Sequence, residues 1–424
     1  MKKLLIGLIV AGSLIAANAQ DKALLETLVK KGMLTQQEAA QIAKESVAVT
    51  PMTKSTKSIK IFGGGQGWYT WQQYSNKVDP VSSPVQTSGF TLRYVKLGVE
   101  ADVGGGWSAT VVTDFGSEGS GTNYLDKVIA SKKIDYDYLN GTLQMGLRKS
   151  NMGYEQDMDD FGQLAIERSV ATYFFTRANY NDSGVKNFGS RTVGVFWDGN
   201  IIQVDGLYYS LAVTSEVTES ATGTSIINNV GNSSSLSFYA AMGYKTLAEI
   251  NGESVTYDFG VNFGYAPQGM ETATGARGSI WGINPYASVN WRGFTFIGEF
   301  FLQQVEDYSA YPASGDCRTP IGANATVAYK WDVGELGILE PVGRFSYVYA
   351  NGLGMTYAPY YFGSTTNPTA FNQATTLYVG LNWYATSAVK TSLGYEFGYF
   401  DNANSTPNER YYGNTVRAQV QVLF

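Results

Sequence analysis

The chain contains no histidine. Mechanisms that need an imidazole base, a histidine metal ligand or a serine–histidine pair are therefore excluded. There is one cysteine, Cys317, so no intramolecular disulfide can form and no cysteine-rich metal site exists. The thiol reads as a lone loop residue without a role. Charged residues make up only 16% of the chain, against about 25% in typical soluble proteins. No stretch approaches about 18 uninterrupted apolar residues, which excludes a membrane-spanning helix. The net charge of -6 argues against a nucleic-acid-binding surface, which is normally basic.

What is present is glycine and aromatic ring. The 424 residues include 48 Gly, 30 Tyr, 21 Phe and 8 Trp, a mixture that favours strands and tight turns over helices. From about Ile59 onward the dominant period is two. In Val255–Tyr265 every odd position is large and apolar or aromatic, and every even one is small or polar. In Val389–Tyr399, Val389, Leu393, Tyr395, Phe397 and Tyr399 share one face; Lys390, Ser392, Gly394, Glu396 and Gly398 share the other. Such strands suit a barrel with lipid outside and water inside, although a soluble sandwich alternates in the same way. Segment lengths of about 10–13 residues favour the membrane barrel. So do aromatic pairs toward segment ends, Trp68/Trp71, Trp281/Trp291 and Trp383/Tyr384, read as interfacial girdles. The last segment, Val416–Phe424, alternates to a terminal Phe and resembles the closing strand of bacterial outer-membrane proteins.

Met1–Ala19 reads as a secretory signal peptide. Lys2 and Lys3 precede an apolar run, and Ala17-Asn18-Ala19 supplies the cleavage site. Residues 20–58 read as a short periplasmic helical hairpin and a Ser/Thr/Lys-rich linker. Leu24, Leu25 and Leu28 share one helical face, and Thr35–Glu38 is a capping box. The hairpin is either a spacer or a contact to peptidoglycan or to other copies.

Residues 59–424 then hold about sixteen strands, an even count as single-chain bacterial barrels require. Starts fall near Ile59, Phe90, Trp107, Lys127, Thr142, Ser190, Ile201, Ser235, Ser254, Ser279, Phe294, Ile321, Pro341, Thr375, Val389 and Asn414. Short turns are expected at Val103–Gly106, Asn140-Gly141, Asp198–Asn200, Arg292-Gly293 and Ser387-Ala388, alternating with long connections. The fold class is thus all-β, a sixteen-stranded antiparallel transmembrane β-barrel. The longest connection, near 151–188, is too long for a simple loop. It holds the place of the loop that folds into the lumen of general porins.

Gln163–Ser169, Gly189–Gly199 and Gly206–Val213 resemble segments of the phosphate-selective porin O/P family, as does the early signature Leu24–Ala39. The resemblance implies a homotrimeric, substrate-selective channel of the bacterial outer membrane in which lumenal Arg and Lys conduct anions such as phosphate.

Alternation places Lys96, Lys127, Lys133, Arg148, Lys245, Lys330, Arg344, Lys390 and Arg417 in the lumen, against Glu100, Asp114, Asp135, Asp137, Asp258, Glu299 and Glu396. The long connection adds Arg168, Arg177 and Lys186 but also Glu155, Asp157, Asp159, Asp160 and Glu167. Its acidic run departs from a phosphate funnel and suits Ca²⁺ binding or cation selection instead. Each lumenal charge is either a rung on an ion path or a wall residue paired across the lumen. A phase slip near Tyr94-Val95 leaves Arg93 unassigned. The functional expectation is a non-enzymatic channel without cofactor or metal, passing small hydrophilic solutes. The competing readings are a general or cation-preferring channel, and a structural or adhesive barrel that binds through its loops.

Overall fold

The computed structural model describes residues 57–76, 85–116, 125–136, 139–176, 188, 191–215, 236–250, 253–271, 277–306, 317–355, 371–402 and 409–424. The signal segment, the helical hairpin and most of its linker lie outside them, as do Asp137, Arg177 and Lys186.

The chain divides into two compact units. Among described residues of the first (Met1–Ile61 and Val99–Thr110), the Lys57 amide donates to the Asp102 carbonyl at 2.7 Å. A turn in the same unit passes through Gly104, Gly105 and Gly106 at φ of 85°, 61° and 77°, a conformation glycine reaches without a Cβ clash. The second unit is Phe62–Gly98 and Val111–Phe424.

The strands are β1 (Ser58–Asn76), β2 (Val85–Gly104), β3 (Trp107–Asp114), β4 (Leu125–Asp135), β5 (Leu139–Lys149) and β6 (Arg191–Ile201). They continue with β7 (Leu207–Ser215), β8 (Leu236–Ile250), β9 (Glu253–Glu271), β10 (Arg277–Trp291), β11 (Phe294–Val305) and β12 (Ile321–Tyr329). The last are β13 (Trp331–Asp332), β14 (Ile338–Tyr349), β15 (Gln373–Tyr384), β16 (Val389–Asn402) and β17 (Glu409–Leu423). Both β12 and β13 pair with β14, so they are two halves of one stave. The sheet is antiparallel, has sixteen staves, and closes where Gly64–Asn76 of β1 pair with Tyr411–Leu423 of β17. No helix among the described residues is long and apolar enough to cross a membrane.

Period-two alternation is what makes this sheet a two-faced wall. Along β9, Phe259, Val261, Phe263 and Tyr265 are exposed, while Asp258, Asn262 and Ala266 on the alternate face are buried. On β16, Leu393 and Tyr395 face out, and Lys390, Ser392 and Glu396 face in. An outward apolar band with a polar interior is stable where hydrocarbon surrounds the barrel.

Two of the expected turns are not turns. Asn140-Gly141 and Asp198–Asn200 lie inside β5 and β6, where Asn140 pairs with Asn200 and Gly141 with Gly199. The glycines are there for close approach: a Cβ at Gly141 would meet the Trp197 ring at 2.7 Å, and one at Gly199 would meet the Tyr209 hydroxyl at 2.6 Å. The β6–β7 turn falls at residues 202–206 instead. Two expected girdle residues also turn inward. Trp68 is buried and donates its indole N–H to Gln419 at 2.9 Å, and the Tyr384 hydroxyl donates to Glu340 at 2.7 Å. Trp291 and Trp383 are exposed near short turns, as interfacial aromatics are.

Candidate functional site

Between β5 and β6 the chain forms two short helices, α1 (Tyr154–Asp157) and α2 (Val170–Thr176), and every residue of α2 is buried. The sequence of α2, VATYFFT, has no charge and cannot face water. It packs instead against β11, β12, β14 and β15, within a buried apolar cluster that includes Phe301, Val348, Ala374 and Phe400. Phe175 stacks on Phe301 with ring centroids 5.0 Å apart.

Glycines on the inner wall receive the rings. A Cβ at Gly264 or Gly282 would meet the Phe188 ring at 2.6 or 2.7 Å, and one at Gly322 would meet Phe175 at 2.6 Å. Gly282→Ala is therefore expected to destabilise the seated segment by about 1–3 kcal/mol, the usual overpacking cost. Thermal unfolding in detergent, read as heat-modifiable gel mobility, checks this.

Polar contacts hold the rest. Glu299 of β11 accepts the backbone N–H groups of Tyr154 (2.9 Å) and Glu155 (3.2 Å), along with Asn324 Nδ2 at 2.8 Å. Glu155 accepts from the Ser169 N–H at 3.0 Å and the Thr172 hydroxyl at 2.6 Å. It also pairs with Arg344 of β14 at 3.2 Å. Arg344 reaches Glu396 of β16 at 3.1 Å, and Arg417 of β17 reaches the same carboxylate at 3.2 Å. A second hub is Asp160, which faces Lys96, Arg168, Lys149 (3.2 Å) and Arg191 (3.5 Å). Burial by itself would raise the Asp160 carboxyl, but Lys149, Arg168, Lys96 and Arg191 hold it well below the usual carboxylate range.

Arg93, unassigned by alternation, pairs with Glu167 at 2.9 Å and donates to the Tyr173 hydroxyl at 2.8 Å. Its neighbour Tyr94 accepts from Arg168 at 3.2 Å. Two consecutive side chains thus contact the inward segment, as a phase slip requires. The same happens at Arg148, paired with Asp198, and Lys149, paired with Asp160. Nearby, Gly146 takes φ 136° where a Cβ would run into the Val128 carbonyl.

The acidic run is not arranged as a calcium site. Glu155 and Asp160 are consumed by cationic partners, whereas Asp157 and Asp159 are exposed. Among the described residues no three His, Cys, Asp or Glu are placed to hold a metal ion.

Beside the segment lies a cavity of about 1200 Å³. It extends from Tyr154 and Asp157 of α1 to the β6–β7 turn, where Asp205 stands. Lys133 and Arg148 line it, while Lys127 is half-buried within electrostatic reach of Asp157. The sequence-selected residues thus separate into two groups. Glu155, Asp160, Arg168 and Arg344 fasten the segment, and Arg417 joins the wall carboxylate Glu396 that Arg344 also reaches; Lys133, Arg148 and Asp157 line the cavity. Sequence reasoning missed Asp126, Glu340, Lys149, Arg191 and Asp198. Asp198 had been placed in a turn, and Lys149 and Arg191 stand at strand ends where alternation gives no direction.

No family model matches the chain, and no curated protein matches it. Solved structures do. An anion-selective porin from Comamonas acidovorans is 12% identical, with a TM-score of 0.56 over 87% of this chain and 99% of its own. OprB of Pseudomonas putida is 10% identical, with a TM-score of 0.55 over 87% and 94%. The outer membrane channel DcaP of Acinetobacter baumannii is 12% identical, with a TM-score of 0.53 over 88% and 98%. At such identities the likeness is one of fold: this chain has the barrel fold of the outer-membrane porins.

Proposed function

We propose that the chain is a passive diffusion channel of the bacterial outer membrane, released from its signal peptide after Ala19 and admitting small hydrophilic solutes. The observation that carries this is the cavity of about 1200 Å³, lined by charged and polar side chains, inside a closed wall whose outer face is apolar. A polar lumen within an apolar barrel is what an aqueous pore requires. The inward segment supplies the constriction, and the hairpin before residue 59 supplies a peptidoglycan contact. Homotrimeric assembly belongs to the same proposal, and the mass of the detergent-extracted particle checks it.

Phosphate preference has the resemblance behind it but little support from charge. Arg148, Arg168, Arg344 and Arg417 are each engaged by a carboxylate, so these four arginines form no ladder of unneutralised cations. A general or cation-preferring pore is the reading the charges favour. Reconstitution in a planar bilayer under a KCl gradient, with phosphate titrated into the bath, tests both. Stepwise conductance with a potassium-favouring reversal potential is expected. Chloride preference with phosphate block would restore the phosphate channel, and absence of conductance would leave a structural or adhesive barrel.

A further inference from the structure

We propose that the cavity beside α1 is a residence site for small organic cations, in particular ammonium compounds with an apolar body. The proposal rests on the channel reading and names its preferred solute class.

Charge comes first. The cavity wall holds Asp135, Asp157, Asp198, Asp205 and Asp258 against Lys133, Arg148 and Lys245. Each base stands beside one acid: Lys133 by Asp135 at 3.4 Å, Arg148 by Asp198, and Lys245 by Asp258 at 3.8 Å. Asp157 and Asp205 are the surplus, one at the inner end and one at the short-turn end. Lys149, Arg148 and Lys127 also act on Asp157. Lys149 shares Asp160 with three other cations and donates to the Met158 carbonyl at 2.8 Å; neither it nor Lys127 lines the cavity, whose own wall carries five acids against three bases. An acid surplus inside a low-dielectric barrel concentrates cations and repels phosphate.

Aromatic chemistry narrows the class. Tyr154 stacks on Tyr286, with centroids 4.6 Å apart and planes at 25°. The Tyr208 hydroxyl shares a hydrogen bond with that of Tyr286 and lies 2.7 Å from Asp258. These hydroxyls are occupied internally; Tyr286 is buried, and the half-buried Tyr154 and Tyr208 supply the ring surface left for a guest. Ring faces attract ammonium groups when a carboxylate stands near.

The probe is choline, with 3,3-dimethylbutan-1-ol as its uncharged twin of the same shape. In the bilayer, choline is expected to block KCl current at concentrations about tenfold lower than the alcohol. The double variant Asp157→Asn/Asp205→Asn, its folding checked by heat-modifiable mobility, is expected to erase that difference and move the reversal potential toward zero. Equal block by the two probes, or a choline block unchanged in the double variant, overturns the proposal. If the protein does not conduct, the channel reading fails. Calorimetric titration of the detergent-solubilised protein with both probes then decides the site: selective choline binding lost in the double variant supports it, and its absence overturns it.

Discussion

Replacing Arg344 with Ala is expected to release the inward segment and widen the pore. The Arg344 side chain is fully buried and bridges Glu155 of α1 to Glu396 on the wall. Removing one partner of a buried ion pair costs about 3–5 kcal/mol, because the remaining charge is left in a low-dielectric place. Here two carboxylates lose their shared cation, and Arg417 remains for only one of them. Their cheapest escape is for Glu155 to leave the wall and take α1 with it. The measurable outcome is a larger and noisier single-channel conductance, with a lower unfolding temperature of the barrel. Arg344→Lys should recover part of the stability, since a point charge replaces one arm of the two-armed bridge. An unchanged conductance in Arg344→Ala would show that the segment stays seated without the Arg344 bridge.

Asp160→Asn is expected to have the second large effect, and its sign is electrical as well as mechanical. Four cations converge on this carboxylate. With an uncharged amide they repel one another, and Asp126, beside Lys96 and Arg191, is the nearest acid left. The reversal potential should move toward chloride, and the seated segment should weaken by several kcal/mol, on the order of a broken buried pair. The pH dependence follows from the lowered carboxyl. A depressed folded-state value contributes stability that is fully present above the unfolded value of about 4 and is lost as pH falls through the folded value. Acidification from neutrality to about pH 4 should therefore leave this anchor intact in the wild type, with loosening only below. Conductance recorded from pH 7 to pH 3 tests it.

Much of the wall was legible because alternation is a local property. Strands begin at Trp107, Phe294, Ile321 and Val389 as the pattern expects, and the outward band of β9 and β16 is readable residue by residue. Glycine misled where it serves two purposes. In Asn140-Gly141 and Asp198–Asn200 it looked like turn chemistry, yet it clears space for Trp197 and Tyr209. Trp68 and Tyr384 looked like girdle rings from their place near segment ends, yet each lies on the inward phase of its strand, with Gln66 and with Asn382. The anchoring pairs were least legible. Glu155 and Arg344 are 189 positions apart, and charge partners across a lumen leave no periodic trace. Most of the basic residues were found, and pairing across the lumen was one of their two readings, but the particular partners were not legible.

The reach of those contacts bears on assembly. The segment that leaves the wall after β5 finds partners on β2, β11, β14 and β17, and Gln421 donates to the Phe161 carbonyl across 260 positions. Such a segment is most simply installed while the cylinder is still an open ribbon, with the later staves zipping around it before β1 meets β17. Loop-closure entropy is spent early on contacts that repay it only when the final staves arrive. The anchoring charges would then time the closure: a chain that cannot seat its segment would arrive at the seam late, with an unpaired strand edge exposed to its neighbours.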